Sequence, residues 1–154
     1  MITNEKGLSD LIHSIMHKPD KGHVDWKLQD VYRSGIPDKL LNDHGNVGFF
    51  EQKYIPLSKV TKREGRGFVK LTAPQRRSLI EWWDAGGTSF LVVGRGEECF
   101  FFKGVRQVLP APLCYMTRDE MMDTCTMYCE LNRSRMEATI KYALRYRGLI
   151  PDRS

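Results

Sequence analysis

Between Ile36 and Ile55 two strand-forming runs, IPDKLLN and VGFFEQKYI, stand on either side of the tetrapeptide DHGN. Gly and Asn accept the positive φ that tight turns impose, so the stretch predicts an antiparallel hairpin. A hairpin brings the outer ends of its strands together. Asp38, near the start of the first run, and Glu51, late in the second, are therefore expected at one end of a sheet, on the same side. Two carboxylates held that close repel, and a divalent cation is the usual means of keeping both ionised. Oxygen donors of this kind suit magnesium or manganese, which retain waters in an octahedral shell. Glu51 and Lys53 are two apart, so on a strand they share a face. The ammonium then stands where it can orient an attacking water and stabilise charge building on a phosphate. Gln52 points to the opposite face, and its backbone carbonyl is a third candidate ligand.

A plainer reading competes with this one. Glu-x-Lys triplets are common on solvated strand faces, and Pro-Asp is common as a turn or a cap. Here, however, the triplet follows the apolar run VGFF, which belongs in a core, and Pro-Asp opens another apolar strand. Unpaired charge at the end of a buried strand is costly and needs a reason. On the residues alone, a metal-phosphate site and a structural ion pair are equal alternatives.

The flanking sequence supplies the other elements. Leu8, Leu11, Ile12, Ile15 and Met16 recur at three- and four-residue steps, predicting a helix over 4–17 that the breaker run KPDKG closes. HVDWKLQDVYRS alternates as an extended segment, with Val24, Trp26 and Leu28 on one side. PLSKVTKREGRGFVK is basic and glycine-punctuated, and reads as a mobile loop carrying Lys59, Lys62, Arg63, Arg66 and Lys70. TAPQRRSLIEWWDAGG is a helix with Thr72 placed to cap it, Pro74 in its first turn and a glycine pair at its end. TSFLVVGRGEECFFFKG predicts two strands joined by GRGEE. After LPAPL, TRDEMMDTCTMYCEL and SRMEATIKYALRYRG read as two helices, opened by the capping boxes Thr117 with Glu120 and Ser134 with Glu137. The order is α/β with the strands grouped early, and mixed pairing is expected because the last strands need a crossover through the TAPQ helix.

Composition narrows the function classes. At 154 residues the chain is about one domain long. No apolar run approaches the roughly 20 residues that cross a bilayer, and the opening MITNEKGLSDLIHSIMHK lacks the apolar core of a signal peptide. A cytoplasmic protein is the expectation. Cys99, Cys114, Cys125 and Cys129 form no C-x-x-C pair and read as free thiols, with Cys125 and Cys129 on one helix. His13 and His17 share a helical face without a third ligand nearby, and read as surface or packing residues. The net charge of +5 and pI near 9.1 suit a polyanionic partner without demanding one. Arg76 and Arg77 sit at a helix start, where the dipole disfavours cations, unless they face a phosphate. The last helix carries Arg133, Arg135, Lys141, Arg145 and Arg147 around an apolar stripe of Met136, Ile140, Ala143 and Leu144. That stripe must bury on the chain's own core or on a second copy.

SGIPD, then GFFEQK, a basic loop and LTAPQRRSLIEWWDAGG together resemble the PD-(D/E)xK nuclease superfamily, and within it the virus-type replication-repair (VRR-NUC) nucleases and the phage Holliday-junction resolvases. The resemblance implies a restriction-endonuclease-like mixed sheet flanked by helices, occupying residues 1–110. Residues 111–154 would form a two-helix extension, packed on that core or at a dimer interface. It implies Asp38 and Glu51 as metal-binding acids, Lys53 as the catalytic lysine, Gln75 as the glutamine opening the next helix, and Glu5, with Asp10 as alternative, as an acid from the first helix. The basic loop, Arg76 and Arg77 would bind DNA. The activity implied is Mg²⁺-dependent (Mn²⁺-tolerant) phosphodiester hydrolysis by a homodimer, on branched DNA in phage replication, recombination or repair. Flap or end processing is the alternative activity, and a catalytically silent DNA-binding or assembly module the non-enzymatic one.

Overall fold

The computed structural model describes residues 2–28, 35–60, 65–67, 69–103 and 116–147. Helix α1 spans Glu5–Met16, capped by Asn4, whose side chain accepts the Gly7 N–H at 2.8 Å. That bond satisfies one of the amides a helix leaves unpaired at its start. Strands β1 (His23–Lys27), β2 (Lys39–Asp43) and β3 (Asn46–Ile55) follow as an antiparallel meander. The β2–β3 turn carries φ of 50° at His44 and 90° at Gly45. Two successive positive φ values make the hairpin turn that the DHGN sequence predicts.

Helix α2 (Ala73–Asp84) opens on a complete capping box between Thr72 and Gln75. It carries the chain over the sheet so that β5 (Thr88–Arg95) returns parallel to β3, and β6 (Glu98–Lys103) then pairs antiparallel with β5. A two-residue strand β4 (Arg66–Gly67) pairs with β7 (Met116–Thr117) in a small second sheet. Helix α3 (Arg118–Thr124), strand β8 (Met127–Glu130) and helix α4 (Arg133–Arg145) complete the described chain. The main sheet has six strands in the order β1-β2-β3-β5-β6-β8. Its mixed pairing with helices on both faces is the restriction-endonuclease-like arrangement.

Each face buries its own core. Leu8, Ile12 and Ile15 of α1 and Met136, Ile140, Ala143 and Leu144 of α4 close over Leu41, Phe50, Phe90, Val92 and Phe101. On the other face Leu79 of α2 and Met121 of α3 cover Ile55, Leu91, Val93, Phe100 and Phe102. The apolar stripe of α4 is thus spent within the chain and offers no surface to a second copy.

The structure corrects three sequence expectations. TRDEMMDTCTMYCEL is not one helix: after α3 the chain extends, and β8 completes the edge of β6, setting Cys129 opposite Cys99. A four-residue strand is too short to print a periodicity, and what calls for it is the open edge of a buried phenylalanine-rich neighbour. The cap of α4 is Asn132, which accepts the Arg135 N–H at 3.0 Å and also the Ser134 hydroxyl at 3.1 Å. Ser134 therefore lies inside the helix, not at its cap. β1 is extended as expected, with Val24 and Trp26 alternating with the buried His23 and Asp25, and Trp26 is 60% exposed. Part of the segment read as a mobile loop is ordered as β4; Lys62 and Arg63 lie outside the described residues.

Candidate active site

Asp38 immediately precedes β2. Continuing the ladder one step beyond Lys39 opposite Phe50 sets Asp38 against Glu51. The two are braced reciprocally by backbone. The Asp38 N–H donates to Glu51 Oε2 at 3.0 Å, and the Gln52 N–H donates to Asp38 Oδ2 at 3.1 Å. Each carboxylate is thereby oriented by the other strand's amide, which only the hairpin register permits. Leu28 N–H also donates to the Asp38 carbonyl, at 2.8 Å, tying β1's exit to the same point.

Glu51 is fully buried. Its Oε1 receives the Gln75 amide at 2.9 Å and lies 3.2 Å from the Lys53 ammonium. Gln75 acts at both ends: its Oε1 accepts the Thr72 N–H at 3.0 Å to close the capping box while its Nε2 holds Glu51. Helix capping and carboxylate positioning are therefore one device in this chain. Burial pushes the Glu51 carboxyl up to about 8, the Asp38 carboxylate adds to the rise, and Lys53 offsets part of it.

A third acid approaches from α1. Burial lifts the Glu5 carboxyl above its ordinary value, the Lys53 ammonium pulls it back, and the Asp38 carboxylate raises it further. Glu5 thus shares the electrostatic environment of Asp38 and Lys53, whereas Asp10, its alternative, is exposed and paired with Lys6 at 2.7 Å. Glu5, Lys53, Tyr54, Val69, Lys70, Thr72 and Gln75 line a cavity of about 320 Å³ beside the acids. A hollow of about 620 Å³ between Trp26, Phe49 and Trp82 is lined mainly by apolar side chains, with Ser78 and Glu81 of α2 its polar members.

Of the remaining sequence candidates, Lys70 lines the cavity and Lys59 does not. Arg66 is engaged by Glu120, its Nη1 and Nη2 each 3.1 Å from a carboxylate oxygen. Arg77 is exposed, and Arg76 is half-buried, with its Nε lacking a hydrogen-bond partner among the described residues. Trp83 packs on Phe90 beneath the Arg147 guanidinium. Sequence reasoning missed the buried Lys39, the residue after Asp38, whose Nζ lies 2.6 Å from Asp25 Oδ2. Part of the signal was present: in β1 the polar residues His23, Asp25 and Lys27 recur at every second position.

No protein-family model matches the chain, and neither does any curated protein. Solved structures do. Hjc, a Holliday junction resolvase from the archaeal hyperthermophile Archaeoglobus fulgidus, superposes with a TM-score of 0.51. The chain has that resolvase's fold. The match covers 85% of this chain and 94% of the resolvase, at 12% sequence identity. It spans nearly the whole of the resolvase with so few identical residues that the likeness is one of architecture. No helix of the described residues is long and apolar enough to cross a membrane.

Proposed function

We propose that this protein is a divalent-metal-dependent nuclease that hydrolyses phosphodiesters in branched DNA. The observation that carries the reading is the environment of Glu51. A carboxyl with no exposure, pushed to about 8 beside a second carboxyl, stays neutral unless a cation takes the place of its proton. The donors are all oxygen, which suits magnesium, with manganese as substitute. Asp38 and Glu51 would hold the ion, with the Gln52 carbonyl and Glu5 as further donors. Bound there, such an ion supplies Lewis acidity toward the phosphodiester and a more acidic water.

The chain's own groups do the rest. Lys53, anchored 3.2 Å from Glu51, orients the attacking water and stabilises charge on the phosphate. Gln75 fixes the Glu51 carboxylate. Lys70, Arg76 and Arg77, together with Lys59, Lys62, Arg63 and Arg66 of the segment after β3, bind the DNA backbone in a salt-dependent, sequence-independent way. The branched substrate is inferred from the fold shared with a Holliday junction resolvase. A homodimer is inferred because symmetric incision of a four-way branch needs two active sites. The motif's resemblance to virus-type replication-repair nucleases supports a role in phage replication, recombination or repair.

The test is incubation of the protein with labelled four-way junction, flap, single-stranded and linear duplex DNA, in Mg²⁺, Mn²⁺ or EDTA. Asp38→Asn and Lys53→Ala are run in parallel. Paired symmetric cuts that vanish with EDTA and with either substitution are expected. Metal-dependent cutting of the other substrates alone would move the role to flap or end processing. Tight binding without cleavage would leave a DNA-binding module and overturn the catalytic assignment.

A further inference from the structure

At the opposite end of β2 from Asp38, roughly 16 Å away at the rise of a strand, a second polar cluster closes the far end of the hairpin. His23 opens β1, Asp43 ends β2, and His44 is the first residue of the β2–β3 turn. One ligating atom from each lies within 4.8 Å of the others. His23 Nε2 is 3.1 Å from Asp43 Oδ1, and His44 Nε2 is 3.8 Å from the same oxygen. Ligands about 2.0–2.1 Å from a tetrahedral zinc ion stand about 3.3 Å apart, so these separations already approximate the edges of such a site.

His23 is the observation that calls for an occupant. The residue is 7% exposed, and neither of its ring nitrogens has a hydrogen-bond partner among the described residues. The Asp43 oxygen 3.1 Å away is too poorly directed to serve as one. A buried imidazole with no partner on either nitrogen loses its hydration without compensation.

The surroundings are built for close approach. Gly22, at φ 80°, lies against the His44 ring, and a Cβ there would come within 2.4 Å of His44 Nδ1. The Gly22 carbonyl accepts the His44 N–H at 2.8 Å, which fixes the turn over β1. On Asp43 the Arg145 guanidinium of α4 engages both oxygens, with Nη2 3.1 Å from Oδ1. Outer partners of this kind orient ligating carboxylates, and a carboxylate oxygen holding one such bond keeps a second lone pair. His44 is exposed, so the cluster opens to solvent on its side.

We propose that His23, Asp43 and His44 bind a borderline-soft divalent ion, zinc foremost, with water completing a four-coordinate shell. The site is separate from the acids at Asp38 and Glu51. Its role is structural: it staples the hairpin turn to β1 and, through Arg145, to α4. Two imidazoles and one carboxylate select zinc over magnesium, which prefers an all-oxygen shell.

The experiment is a titration of the intact protein with Co²⁺, then Zn²⁺, in excess Mg²⁺, comparing wild type, Asp38→Asn and His44→Asn. Asparagine tolerates the left-handed backbone at position 44, and the side chain is exposed, so the fold should survive. Circular dichroism checks that it does. One equivalent of Co²⁺ with the intense visible bands of a four-coordinate site is expected in wild type and Asp38→Asn alike. Zinc should displace it and raise the Tm. His44→Asn should lose the bands and bind zinc at least tenfold more weakly. Absence of stoichiometric binding in wild type would overturn the proposal. So would loss of binding in Asp38→Asn with retention in His44→Asn, which would assign the ion to the nuclease acids.

Discussion

Glu51 is the residue at which folding and protonation meet. Its carboxyl is raised from 4.5 to about 8, so the folded chain keeps a proton that the unfolded chain releases. The stability that this contributes is complete below about pH 4.5 and is lost as the pH rises through about 8. In EDTA, Tm should therefore fall between pH 5 and pH 8, and in Glu51→Gln that part of the slope should vanish; thermal unfolding across the range decides it. Added Mg²⁺ should restore more of the Tm at pH 8 than at pH 5. Lys39 makes a second test at this scale, because its ammonium is 2% exposed and rests on the fully buried Asp25 carboxylate. Removing one partner of such a pair leaves an unpaired buried charge, at a cost of about 3–5 kcal/mol. Lys39→Met should unfold at lower urea by about that much, and Lys39→Met with Asp25→Leu should recover most of it.

Among the elements, those with long apolar periods or strong turn chemistry were legible and the short ones were not. α1, α2 and the β2–β3 and β5–β6 hairpins follow from spacing, caps and glycine turns. β8 did not, because four residues cannot show a period and its reason lies on β6, 24 or more positions earlier in the chain. The start of α4 was misplaced by two residues, since Asn132 and Ser134 are both good caps and only the traced backbone decides between them. Asn132→Ala should cost about 1 kcal/mol and Ser134→Ala no more than a few tenths, measured as the shift in chemical denaturation midpoint. Equal losses at the two positions would contradict the cap.

For the molecule as a whole, the C-terminal elements decide whether residues 1–110 stand alone. β8 is the last strand of the main sheet, and Met136, Ile140, Ala143 and Leu144 of α4 are packed among Leu8, Ile12 and Phe50. A chain ended after residue 110 would expose that apolar face and leave β6 an open edge. Loss of cooperative unfolding in the shortened chain is expected, monitored by circular dichroism. A shortened chain that unfolds cooperatively near the parent Tm would instead make residues 111–154 a dispensable extension.

The sequence by itself determined the hairpin, the face shared by Glu51 and Lys53, the capping role open to Gln75, and the basic character of the segment after β3. These are local matters, set by a two-residue strand period, turn chemistry and charge within a few positions. Only the tertiary structure decided that Gln75 reaches across to Glu51, that Glu5 rather than Asp10 joins the acids, that Lys39 and Asp25 neutralise each other, and that His23 meets His44 at Asp43. Each of these joins residues from different elements. The alternation in β1 and β2 tells which residues share a face, but which face meets helices α1 and α4 is fixed only when the sheet is closed between its two layers.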